Sequence, residues 1–233
     1  MPDDRPPFFT SFDEAWRWFT SGGELTPMAE WRQHFTAGRG QLLSFQVPIG
    51  DTIIADAVED LQDELADIEG LAMFEREMLH ISLHSVGFQV IAKRRPDDVS
   101  REDVGRITQR AAAVLRGATP VEIEAGPVNV FPDALILEVR DGGALGALRA
   151  RLADAAADAF GIADDQYLPH IIIAMFADPI AAASALRERL PALRSRPSTS
   201  AAIKRIELAR WWFTGADTDL PERDPVRAYA LRG

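Results

Sequence analysis

The sequence predicts an α+β fold built from two like halves, and two observations carry that prediction. The first is order. Helix, histidine-led strand, helix, strand runs once between residues 51 and 125 and again between residues 142 and 213. The second is pattern. The strands are apolar, β-branched runs bounded by Gly, Pro and Asp, whereas the helices place apolar residues three and four apart. At 233 residues the chain is long enough for one large domain or two closely packed lobes.

Residues 1–39 precede the first half and read as a helical attachment. Ser11-Phe12-Asp13-Glu14 has the capping-box pattern and opens a short helix carrying Trp16, Trp18 and Phe19. Thr26-Pro27 opens another, because a first helical position has no N–H partner for Pro to lose; Trp31 and Phe35 share one face of it, with His34 beside them. So many rings on two short helices need a surface to cover, and both helices are expected to dock on the main body. His34 has no chemistry of matching kind nearby in sequence and is read as a packed or surface residue.

Gly38-Arg39-Gly40 ends the second helix, and Leu42 to Pro48 reads as a strand. After Asp51 the apolar residues Ile54, Val58, Leu61, Leu65 and Ile68 recur at spacings of four and three, the stripe of a helix facing a core. The strand of His80 follows, running toward Ile91, and Lys93 to Asp98 is a polar turn. Ser100 begins a helix with Val104, Ile107, Ala111 and Val114 inward, and Gly117 ends it. Pro120 to Ala125 and Ala134 to Arg140 are two antiparallel neighbours around breaks at Gly126-Pro127 and Pro132-Asp133. Gly142-Gly143 leads into a helix with Leu145, Leu148, Leu152, Ala156 and Ala159 inward; it lacks the lysine and spacing of a phosphate loop. Then come the strand of His170, a helix from Asp178-Pro179 with Ala183, Leu186, Leu190 and Leu193 inward, and a strand from Ile203 to Phe213. From Gly215 the chain is rich in Asp, Pro and Gly and is expected to wrap the surface or fray.

Composition narrows the function. With no cysteine, disulfides and thiolate metal sites are excluded. Thirty-six acids against 25 bases give a net charge of −11, which argues against long duplex nucleic acid laid across a broad surface. A small or single-stranded phosphate substrate in a local basic cleft stays compatible with it. Residues 51–70 hold eight acids and no base, and residues 187–210 hold seven bases against Glu188 and Glu207; solvated faces are the simplest reading of both runs. Met1-Pro2-Asp3-Asp4-Arg5 begins no basic-then-apolar leader and no run approaches membrane-spanning length, so a cytoplasmic, soluble protein without a membrane partner is expected. Oligomeric state has no signature in the sequence.

Alternation in a strand sends residues i, i+2 and i+4 to one face. One face of the first histidine strand therefore carries His80, Ser82 and His84, and the matching face of the second carries His170, Ile172 and Ala174. Two imidazoles presented from two strands suit a phosphodiester: the neutral ring takes a proton from the attacking hydroxyl or water, and the charged ring gives one to the leaving oxygen. A hydroxyl two residues on would hold a phosphate oxygen.

His80-Ile81-Ser82-Leu83 and Leu168-Pro169-His170-Ile171-Ile172-Ile173, in matched settings across residues 41–213 with a Phe131-Pro132 break before the strand preceding the second, resemble the two-histidine (2H) phosphoesterase superfamily. Within it they resemble the 2′-5′ RNA ligase and cyclic phosphodiesterase group. That family carries His, any residue, Thr or Ser, apolar, once per lobe. The first motif fits, whereas the second keeps Pro-His and the apolar setting but has Ile172 where the family has a hydroxyl. The resemblance implies two pseudo-symmetric lobes over residues 40–213, each with an antiparallel sheet and flanking helices around a central groove, with 1–39 attached and 214–233 as a tail. It implies His80 and His170 as general acid and base in either order, Ser82 on the phosphoryl oxygen, and neither a cofactor nor an obligatory metal. The implied reactions are hydrolysis of 2′,3′-cyclic phosphates, cleavage or joining of 2′-5′ linkages, and opening of related cyclic phosphodiesters. The implied partners are a small cyclic phosphodiester, a nucleotide or an RNA end.

Losing one charge-assisted hydrogen bond at Ile172 costs about 1.5–3 kcal/mol, roughly ten- to a hundredfold in rate. His84, Tyr167 or an arginine of the basic segment are the candidate replacement donors. His84 either touches substrate or packs, and it stands too far along the strand to share a small metal with His80. Tyr167, Trp211 and Trp212 either stack a base or pack, Trp212 on the sheet core with Ile206 and Leu208, and Trp211 outward against a helix or the attachment. His80 and His170 also have a structural reading as core histidines bonded to backbone, and Ser82 as a serine satisfied by its own strand. Two other functions fit: a catalytically degenerate member that binds a nucleotide, RNA end or protein partner without turnover, and an interaction protein whose surface is the aromatic attachment.

Overall fold

A computed structural model describes residues 9–156 and 167–233. In chain order the elements are α1 (Phe12–Thr20), α2 (Met28–Thr36), β1 (Gln41–Pro48), α3 (Ile53–Leu65) and β2 (Leu71–Met73). A 3-10 turn (Arg76–Met78) then precedes β3 (His80–Gln89), β4 (Asp98–Val99), α4 (Arg101–Val114), β5 (Val121–Val130) and β6 (Ala134–Arg140). The rest are α5 (Ala144–Ala155), β7 (His170–Phe176), α6 (Pro179–Leu193), β8 (Thr199–Ile203), β9 (Arg205–Trp212) and β10 (Glu222–Ala230).

Local chemistry accounts for the helix starts. Ser11 accepts from the Glu14 N–H, but the Glu14 carboxylate takes the N–H and hydroxyl of Thr10, so the box at α1 closes one residue earlier than its pattern suggests. At α4 the box is fully reciprocal between Ser100 and Asp103. Asp178 caps α6 through the N–H groups of Ile180 and Ala181. Ile54, Val58, Leu61, Leu65 and Ile68 are all buried, as their spacing predicts. On α6 the buried row is Ala182, Leu186 and Leu190, with Ala183 and Leu193 half-buried. Ala159 lies outside the described residues.

The strands form one curled half-barrel, ordered β10-β9-β1-β3-β7-β6-β5-β8. Among the described residues this path divides into two antiparallel runs of four strands that meet at the residue pair Ile81–Ile171, with the short β4 added in parallel to β3 and the short β2 antiparallel to β7. Those runs are the two lobes, and the histidine strands are their shared edge. β5 closes the first sequence half yet pairs with β6, and β9 closes the second yet pairs with β1. Each half thus gives its last strand to the other lobe. Helices cross over too, with α3 against β8 and α5 against β3. The main core lies between the sheet and these helices. A smaller cluster of Leu42, Phe88 and Trp211, joined by Phe35, Met78 and Phe213, packs on the histidine side.

Three sequence expectations change. β5 continues through Gly126-Pro127 to Val130, because a bulge between Ala125 and Val128 absorbs a proline that cannot donate to the ladder; the chain reverses only at Pro132-Asp133. The strand expected from Ile203 to Phe213 begins earlier and is two strands, because at Lys204 the chain leaves β5 in one lobe for β1 in the other. The tail from Gly215 includes an edge strand, β10, whose Pro225 is tolerated beside a bulge on a strand with one partner.

The two charge runs face one another. Arg189 pairs with Asp67, Arg196 with Glu64 and Arg205 with Asp51. All are exposed, so each contributes little to stability, but the pairing removes two single-sign faces. Both attachment helices dock, as their rings require. Phe19 of α1 is fully buried, Trp31 stacks on Phe35 of α2 at 4.9 Å, and Phe35 packs on Phe88 and Phe213. Arg32 is buried and donates to the carbonyls of Thr214, Ala216 and Asp219, while His34 is exposed.

Candidate active site

Each histidine is held by the same local device. The 3-10 turn before β3 brings the Met78 carbonyl to 2.8 Å from His80 Nδ1, and the Leu168 carbonyl lies 2.7 Å from His170 Nδ1. A carbonyl only accepts, so Nδ1 carries the hydrogen in both rings and Nε2 of a neutral ring holds the lone pair. Ser82 Oγ lies 3.1 Å from His80 Nε2.

The lobe junction arranges the rest. One step either side of the antiparallel pair Ile81–Ile171, Ser82 stands across from His170 and Ile172 across from His80. Four side chains therefore form a square, with the histidines on one diagonal and Ser82 and Ile172 on the other. Ser82 is exposed and His170 half-buried, whereas His80 is 8% exposed. Burial pulls the His80 pKa down to about 4; the Met78 carbonyl pushes it back up, and Arg223 and His170 pull it further down. His80 is thus neutral near pH 7.

Two different walls enclose the square. Trp211 lies 4.7 Å from the His80 ring and donates its indole N–H to Gln46 Oε1 at 3.0 Å, and fully buried Gln46 is the strand partner of both Ser82 and Glu207. Glu207 pairs with Arg223 and, at 3.1 Å, with Arg205. On the other side Phe131 meets the His170 ring edge-on at 4.9 Å, with Phe9 and Phe12 behind it. Glu138, the strand partner of His170, is buried and paired with Arg194 at 2.6 Å and Asn129 at 2.8 Å.

The three replacement donors expected for Ile172 are otherwise engaged or buried. Tyr167 donates its hydroxyl to the Ser82 carbonyl at 2.9 Å, a strut from the segment before β7 to β3. His84 is 8% exposed, and burial together with Arg149 pulls its pKa down to about 4; its buried Nδ1 has no hydrogen-bond partner among the described residues. Arg194, from the basic segment, is spent on Glu138 and the Val128 carbonyl. Trp211, expected to pack outward, packs with Phe35 of the attachment yet also against His80. Gln46, Glu207, Arg223, Glu138 and Phe131 stand at the site although the motifs do not point to them. For Gln46 a signal exists, a polar residue inside an otherwise apolar strand; for Arg223 there is none, since its surroundings read as loop. Among the described residues no three His, Asp or Glu side chains converge as a metal site. No helix of the described residues is long and apolar enough to cross a membrane.

Comparisons with known proteins match this architecture. The family model of the 2′-5′ RNA ligase superfamily matches residues 49–212, a span that includes both histidine strands. The fold is similar to that of E. coli LigT in its apo form, with TM-score 0.61 and 15% identity over 84% of this chain and 100% of that one. It is similar to LigT complexed with 3′-AMP (TM-score 0.58, 15% identity, 83% and 99% covered). It is also similar to TT0787 of Thermus thermophilus (TM-score 0.58, 17% identity, 82% and 98% covered). No curated protein matches the sequence.

Proposed function

We propose, from the premise that the chain belongs to the 2′-5′ RNA ligase superfamily, that it is a phosphodiesterase using His80 and His170 as general base and general acid. The substrate is a 2′,3′-cyclic phosphate, a 2′-5′ linkage or a related small cyclic phosphodiester, at the scale of a nucleotide or RNA end. The observation that carries this reading is the matched pair of Nδ1–carbonyl bonds, which turn the proton-transferring Nε2 of each ring away from its own backbone. Neutral His80 takes a proton from water at Nε2 and the water oxygen attacks phosphorus. The ester bond breaks, and the leaving ribose oxygen receives a proton from Nε2 of His170. Ser82, across from His170 and beside His80 Nε2, donates to a phosphoryl oxygen. LigT has been crystallised with 3′-AMP, NADP+ and ATP, which supports a ligand of nucleotide size.

The test is turnover of 2′,3′-cyclic nucleotides, 2′-5′ dinucleotides and short 2′-5′ and 3′-5′ oligoribonucleotides in excess chelator, for the wild type and for His80→Ala and His170→Ala. Turnover lost in both variants supports the reading; turnover kept in either sinks it. Ile172 favours a second reading, a member that binds such ligands without turning them over. Binding with no turnover at any pH would select it.

A further inference from the structure

We propose that Arg223, on the edge strand β10 beyond the family-matched span, is a positioning residue for His80: it ties down the turn from which the imidazole hangs and, as strand partner of the Trp211 that packs on the ring, holds a positive charge on the same side of the sheet. The inference rests on His80 acting as the base. Arg223 Nη1 donates to the Glu77 carbonyl at 3.1 Å, and the next carbonyl, that of Met78, is the one that orients His80. Nη2 pairs with Glu207, and both side chains are largely buried. Fixed at two points, the guanidinium fork links β9, β10 and the turn before β3 in a way that a lysine ammonium cannot reproduce.

The charged and titratable groups on this side of His80 are Arg223 from β10, Arg205 and Glu207 from β9 and His170 from β7, while the turn contributes the Glu77 carbonyl. Around the Glu207 carboxylate there are two guanidiniums, Arg223 and Arg205, of which Arg205 is exposed and shared with Asp51, so Arg223 is the largely buried cation of this cluster. A cation there disfavours the imidazolium and keeps the free ring ready to accept a proton. Among the described residues the buried Arg223 Nε and Gln46 Nε2 have no hydrogen-bond partner, so the cluster holds more donor capacity than its own acceptors use.

The experiment is an NMR titration of the His80 ring in the full chain, comparing wild type, Arg223→Gln and Arg223→Lys. In R223Q the midpoint should rise by about 0.5–1 pH unit, as removal of one partly screened charge predicts. In R223K, which keeps the charge, it should stay within about 0.3 of wild type while the Glu77 amide environment changes. Equal midpoints in wild type and R223Q overturn the proposal, as does a shift in R223K as large as that in R223Q. Should R223Q not fold, E207Q is compared with R223Q/E207Q, which differ only in the Arg223 charge: the midpoint of the double variant should lie above that of E207Q, and equal midpoints overturn the proposal. Where turnover is measurable, the acid limb of kcat/KM must move upward with the midpoint; lower turnover with an unmoved midpoint also overturns it. A wild type silent in every assay would sink the acid–base reading but leave the titration decisive for Arg223.

Discussion

The two histidines are presented alike and surrounded differently. Each ring bonds through Nδ1 to the carbonyl two residues before it, touches an aromatic ring and has a largely buried Arg–Glu pair in its lobe, Arg223–Glu207 beyond His80 and Arg194–Glu138 beside His170. Two residues further along the strand the rows diverge. In the His80 lobe the row across the sheet is Ser82, Gln46, Glu207; in the His170 lobe it is Ile172, Ile136, Asn129. Backbone geometry therefore duplicates the presentation of the two rings, while side chains on these rows make the His80 lobe the more polar one. A half-barrel joined by a single residue pair allows this, because the donors of one lobe face across the junction to the histidine of the other.

The sharpest way to break the comparison is to remove each ring. His80→Ala and His170→Ala should each lower kcat by about 10²–10⁴, the usual contribution of general acid–base catalysis. Losses differing by more than an order of magnitude in steady-state assays would show the two lobes to be unequal in chemistry as well as in setting.

Acid should probe the His80 lobe next. A histidine depressed from 6.5 to about 4 in the folded state takes up its proton more readily when unfolded. Stability is thus full above pH 6.5 and falls as pH drops toward 4, where His80 alone accounts for about 3 kcal/mol. Urea unfolding at stepped pH should follow this course, and His80→Phe should lessen the fall while leaving the part that His84, also depressed to about 4, contributes; a profile level between pH 6.5 and 4.5 would refute the burial argument.

The hydroxyl diagonal gives a smaller effect. Ser82→Ala should lower kcat/KM by roughly ten- to a hundredfold, and Ile172→Thr should raise it by up to the same factor, each reading about 1.5–3 kcal/mol. An unchanged Ile172→Thr enzyme would mean that the His80 lobe already supplies every donor the phosphate uses. Smallest is Phe131→Leu. Loss of its edge contact to His170 should lower stability by about 0.5–1.5 kcal/mol in thermal unfolding, with kcat nearly intact.

Much of this was legible in the chain. The spacing of Ile54, Val58, Leu61 and Leu65 locates α3 and its buried face, and alternation around His80 and His170 puts Ser82 and Ile172 on the faces that matter. Strand ends at prolines were less legible. Pro127 reads as a break and Pro225 as part of a fraying tail, yet both lie within strands, because a bulge or an unpaired edge spares the N–H that proline lacks. Tyr167 was legible as a residue near the site, but its hydroxyl bond to Ser82 joins positions 85 residues apart and has no local signal.

Sequence by itself determined what depends on neighbours along the chain: the helix faces, the two histidine strands, and the absence of a hydroxyl at position 172. Only the tertiary structure decided which strands meet. The exchange of β5 and β9 between lobes, the square formed at Ile81–Ile171 and the return of Arg223 to the turn before His80 depend on pairing between segments far apart in sequence. Local propensity is indifferent to such pairing; it is fixed when apolar faces are buried together and the sheet's hydrogen bonds are closed.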